Sequence, residues 1–160
     1  MKDILQDIVK HTHGLGFLDL VKISGDGSET GIDSMAEDRS VILQGTFNKP
    51  QTEMSGTFGM PQLGKLDIHL KCPEYKDKAK ITVITGERNG ATLPTGIHFE
   101  NEKGDFKNDY RFMNAEIINE KLKTVKFKGV KWDVEIEPTV ANVQRFNFQS
   151  IANTEHNSFV

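Results

Sequence analysis

Residues 58–84 read FGMPQLGKLDIHLKCPEYKDKAKITVI, and the change of period inside them points to the fold class. Leu63, Leu66 and Leu70 recur at three- and four-residue intervals, the spacing of one buried helix stripe. Pro61 stands ahead of them in the first-turn position, where its missing N–H costs nothing. Pro73 stops the run, and Gln62, Lys65, His69 and Lys71 are left for the other faces of the helix. From Ala79 the texture becomes β-branched, so a strand over 79–85 follows the helix. Two further strand-like runs, 91–100 and 106–113, lie beyond the polar breaks at 87–90 and 101–105, which together predict an antiparallel meander.

The residues before 58 repeat this economy. Ile4, Leu5, Ile8 and Val9 make one stripe of a short amphipathic helix over residues 1–13, with Lys2, Gln6 and Lys10 on the opposite side and Gly14 and Gly16 ending it. Residues 17–24 read as a strand, Gly25-Asp26-Gly27 as a turn, and 29–35 and 41–47 as a hairpin around the polar reversal 36–39. Residues 48–57 read as polar and irregular. A new texture begins at Asn114. Lys121, Lys123, Lys126, Lys128 and Lys131, interleaved with Phe127 and Trp132, read as a connector. Residues 130–137 follow as a strand. A third helix then opens at Pro138-Thr139, with Val140, Val143, Phe146 and either Phe148 or Ile151 as its apolar positions. The order restarts the opening of the chain, which implies a repeated helix-plus-sheet unit.

Composition bounds the function classes. The 160 residues are 36% apolar, about 45% with the 14 glycines, which is enough for a packed core and too much for a disordered chain. No apolar run reaches the roughly 20 residues of a membrane helix, and the N-terminus does not read as a signal peptide, so a soluble, cytoplasmic protein is expected. The single cysteine, Cys72, excludes an intrachain disulfide and a thiolate zinc site. His11 and His13 form an HxH pair with no third ligand nearby, and two residues apart on a helix they point to different sides. Cys72 with His69 offers a nucleophile and a base, but a thiol beside Pro73 on the Leu63/Leu66 helix reads more simply as structural. The glycine pairs 14/16 and 25/27 lack the spacing of a phosphate loop. No catalytic dyad, metal set or cofactor motif is left, and a noncatalytic protein is expected.

Charge geography is the remaining signal. The chain carries a formal charge of -3, which argues against an all-over basic coat. Residues 60–80 nevertheless hold five lysines against three acids. The third helix adds Arg145, and the first balances without its histidines, so the helices are the least acidic part. Ordinary solvated helix faces would look the same, and the lysines of 121–131 fit protection of a strand edge.

Taken together, MKDILQDIVKHTHGLGFLDLVKISG, GIDSMAEDRSVILQGTF, the 58–84 stretch and VEIEPTVANVQRFNFQ resemble the DNA sliding clamps, the polymerase processivity factors, in particular those of large tailed phages. The likeness is one of element order and texture over nearly the whole chain. It implies an α+β processivity fold, with antiparallel sheets outside and two helices per domain facing a central hole. Residues 1–113 would be the first such domain, 114–128 the interdomain connector and 129–160 the beginning of an incomplete second domain. The resemblance implies a ring oligomer around duplex DNA in the host cytoplasm, with weak, sequence-independent contacts through Lys2, Lys10, Lys65, Lys71 and Arg145. His11 and Lys76 are lesser candidates. It also implies a DNA polymerase and a clamp loader as partners, each bound through a short peptide beside the connector. The competing expectation is a noncatalytic β-rich phage or virion structural module whose lysines are surface decoration.

Overall fold

The computed structural model describes residues 1–88, 90–123, 129 and 131–155. The chain is α+β, with antiparallel sheets and, among the described residues, four α-helices, and divides into two compact units, Met1–Thr124 and Val125–Val160.

In the first unit, α1 (Lys2–His11) leads into β1 (Leu20–Gly25), β2 (Thr30–Met35) and β3 (Ile42–Thr46). The turn between β1 and β2 is closed by Asp26, whose carboxylate accepts from the Ser28 and Glu29 N–H groups and the Ser28 hydroxyl. β4 (Gly56–Pro61) then returns to β1, giving the sheet order β3-β2-β1-β4. Val21 and Ile23 of β1 face inward opposite Met60 and Phe58 of β4, as the period of two requires. α2 (Leu63–Lys71) buries Leu63, Leu66 and Leu70 and packs beside α1, which buries Leu5, Ile8 and Val9. The second sheet is the expected meander of β5 (Lys80–Arg88), β6 (Ala91–Glu100) and β7 (Lys107–Arg111). Both sheets and both helices share one core, in which Tyr75, Phe99 and Tyr110 are the bulkiest buried side chains beside Phe58.

The structure corrects the reading around Pro61. This residue ends β4 opposite Leu20, Gln62 makes the turn with a left-handed φ of 54°, and the helix starts at Leu63. A strand-terminal proline gives up no interior ladder bond. The opening of β4 fell in the stretch read as irregular because Phe58, Gly59 and Met60 are buried consecutively instead of alternately. Gly59 is covered on its second face: a Cβ there would lie 2.8 Å from Ile118 Cδ1.

Ile118 belongs to α3 (Ala115–Lys121), a helix inside the stretch read as a connector. Its Asn114 cap accepts from the Ile117 N–H at 2.9 Å, and Gly59 and Met113 exchange backbone hydrogen bonds at 2.9 and 2.7 Å just before it. Asn114→Ala is expected to cost about 1 kcal/mol of stability, read as a lower urea midpoint at unchanged m-value.

In the second unit, α4 (Val140–Ala152) is capped by the Thr139 hydroxyl, and Val140, Val143, Phe146, Phe148 and Ile151 are all exposed. Residues 131–137 form no strand, contrary to the reading of 130–137. A strand needs a neighbour to take its N–H and C=O groups, and no described strand pairs with this segment. The connector residues Lys126, Phe127 and Lys128 lie outside the described residues.

Candidate nucleic-acid interface

The four lysines singled out on the first two helices have different environments. α1 carries Asp3 in its first turn and Lys10 and His11 in its last, a distribution that suits the helix dipole. Lys10 is exposed. Lys2 is not free: its ammonium donates to the backbone carbonyls of Tyr75 and Lys76 at 2.7 and 2.8 Å. It ties the start of α1 to the turn at Pro73–Tyr75, and only its remaining donor could meet a ligand.

On α2, Lys65 is exposed, while Lys71 is paired with Asp67 one turn back. Such an exposed i,i+4 pair is worth a few tenths of a kcal/mol at most, so Lys71 can exchange Asp67 for another anion. Ile68 stands 70% exposed on the same helix.

Packing of α1 on α2 brings Lys10 and Lys71 to one cleft, which Gln6, His13 and Asp67 also line. Arg145 lies exposed on α4 in the second unit. Of the lesser candidates, His11 pairs with Asp7 at 3.3 Å, and Lys76 supplies one of the carbonyls that hold Lys2.

The chemistry weighed at His11, His13, His69 and Cys72 can now be placed. His11 turns to Asp7 and His13 to Asp19 at 3.6 Å, so the HxH pair diverges. Among the described residues no group of three or more His, Cys, Asp or Glu side chains could hold a metal ion. The His69 ring stacks on Phe99 at 5.2 Å between centroids, and its Nε2 is buried without a hydrogen-bond partner. Burial first, then the Lys65 charge, pushes its pKa below the usual histidine value. Cys72, half-buried, packs at the edge of the core.

A second cleft, of about 460 Å³, lies where β1, the β2–β3 turn and the end of α3 meet. Its walls include Phe17, Leu20, Met35, Met113 and Leu122, and its charged residues are Asp19, Glu37, Arg39 and Lys121. Arg39 reaches it from a left-handed backbone position, φ 60°. Sequence reading missed this cleft, since its residues come from five separate stretches. The one available signal was Lys121-Leu122, a cation and an apolar side chain side by side in the presumed connector.

These arrangements can make a few screened phosphate contacts on the helices and can receive an apolar segment at the second cleft. No helix among the described residues is long and apolar enough to cross a membrane. No protein-family model matches the chain, and no curated protein matches it.

Proposed function

We propose that this protein acts as a DNA polymerase processivity factor, a sliding clamp that encircles duplex DNA and tethers the replicative polymerase. The observation that carries this reading is the side-by-side packing of α1 and α2, which puts Lys10 and Lys71 on one cleft while both antiparallel sheets share the core behind them. A clamp must slide. Each neutralised phosphate adds a steeply salt-dependent increment of affinity, so a sparse set of lysines with a net-acidic remainder suits a protein retained by topology. Base readout has no role in that task. Ring closure by copies of the chain would use sheet edges, and β3 and β5 each end a sheet with one side unpaired. The cleft with Arg39 and Lys121 is the place where this reading would seat a short apolar peptide of the polymerase or the clamp loader.

A second reading, a noncatalytic structural or interaction module, is favoured by the internal pairing of Lys2 and Lys71 and by the exposed Ile68 between the lysines of α2.

Fluorescence anisotropy on duplex DNA separates the two. The clamp reading expects weak binding with no sequence preference and a log-log salt slope of roughly -2 to -4, from two to four phosphate contacts. Replacing Lys10, Lys65 and Lys71 together by Glu should abolish binding, whereas Lys126→Glu with Lys128→Glu should change it little. Equal effects of the two sets favour the structural module, and dominance of the 126/128 pair overturns the assignment of α1 and α2 to the DNA face.

A further inference from the structure

The outer face of the β5–β6–β7 sheet carries an arrangement that the processivity reading does not use. His98 and Glu100 point outward from β6, alternating with the inward-facing Ile97 and Phe99, and Lys107, Asp109 and Arg111 point outward from β7. The pairing register sets His98 opposite Asp109 and Glu100 opposite Lys107. The contacts follow in order. Lys107 Nζ lies 3.1 Å from Glu100, Glu100 lies 3.4 Å from His98 Nε2, His98 Nδ1 lies 2.7 Å from Asp109, and Asp109 lies 3.4 Å from Arg111. With the imidazole protonated, charges alternate along the whole row, plus, minus, plus, minus, plus. With it neutral, one ring nitrogen must become an acceptor, and it then faces a carboxylate that can only accept.

We propose that His98 is a proton-operated clip on the edge strand β7: the imidazolium bridges Glu100 and Asp109 and holds β7 to β6, and loss of its proton releases β7 selectively.

The surroundings of the ring support a charge-controlled contact. On the β5 side the residue opposite His98 is Thr82, which does not titrate, and Lys80 stands opposite Glu100. β4, which also packs against β6, has no titratable side chain. The carboxylates of Asp109 and Glu100 are therefore the groups that set the state of the ring, tempered by Lys80, Lys107 and Arg111. The Asp109 hydrogen bond raises the proton affinity of the imidazole, partial burial opposes it, and Glu100 adds to the rise. Glu100 is correspondingly held below the ordinary carboxylate range, chiefly by Lys107 and then by His98. The sign is fixed by that direction. A histidine whose folded pKa is raised contributes stability fully below its unfolded value of about 6.5 and loses it as pH rises through the folded value.

β7 is a consequential strand to loosen. Met113, two residues past its end, makes the two backbone bonds to Gly59 that precede α3. A proton at His98 is thereby linked to the segment that brings α3 onto β4.

The test uses the full chain. Proton NMR titration of the histidines should show His98 titrating above the ordinary histidine value of about 6.5. Amide exchange at residues 107–111, corrected for intrinsic pH dependence, should speed up roughly two- to fivefold relative to β1 and β2 between pH 6 and pH 8.5, as expected for one or two partly exposed ion pairs. His98→Gln should remove that differential, and Asp109→Asn should lower the titration midpoint of His98. A His98 midpoint at or below the ordinary histidine value overturns the proposal, as does the same pH-dependent loosening of β7 in His98→Gln. The titration is made on the wild-type protein, so the outcome stands even if a variant folds poorly.

Discussion

Phe99→Ala is expected to lower the free energy of unfolding by about 4 kcal/mol, the middle of the range for a buried aromatic truncated in a core. Phe99 has no exposed surface and stands next to the end of β6, with the His69 ring stacked at 5.2 Å and the Tyr75 ring tilted at 5.4 Å. Its removal opens a cavity that neither neighbour can fill. His69 is packed with its Nε2 buried, and Lys2 holds the backbone carbonyl of Tyr75. Urea unfolding at pH 7 checks this, with Phe148→Ala as the reference. Phe148 is 71% exposed on α4, and its truncation should move stability by less than about 0.5 kcal/mol. A loss below about 1.5 kcal/mol for Phe99→Ala would mean that the α2 side and the meander do not share a core.

Gly96→Ala should cost about 2–3 kcal/mol, the scale of an overpacked interior. A methyl group at this position would lie 2.6 Å from the carbonyl oxygen of Tyr110 on the neighbouring strand. The obstacle is backbone and cannot swing away as a side chain does, so β6 and β7 must part near Gly96 and Arg111, which are paired in the ladder. The Tyr110 hydroxyl, which donates to the Pro61 carbonyl, would be strained by the same displacement. Burial raises the pKa of that phenol strongly, with Asp19 contributing, which favours the protonated, donating form. Gly45→Ala on β3 is the control. There a methyl group meets only Ile32 Cγ2 at 3.4 Å, and the smaller entropy of the unfolded alanine chain offsets the contact, leaving stability within about 1 kcal/mol of the parent. Equal losses at the two glycines would show that the cost comes from generic strand propensity and not from the close approach at Tyr110.

What the sequence determined by itself is every element whose partner pattern is local. The leucines of 63–70 and the apolar stripe of 4–9 repeat at the helical period, and each buries the side that the period predicts. The β2–β3 hairpin and the meander are joined by short polar turns, so their antiparallel pairing follows from chain order. The lysines of α1 and α2 were legible as residue types on helix faces for the same reason. Only the tertiary structure decided the rest, because those features depend on contacts far apart in the chain. Lys2 reads as a free surface cation, yet it is held by carbonyls 73 and 74 residues away. β4 hides its alternation because α3, about 60 residues later, covers the face that Gly59 leaves open. The alternating stretch 132–137 has the pattern of a strand and forms none among the described residues. A period of two shows which face a strand would bury, while the strand itself forms only where another backbone takes its hydrogen bonds.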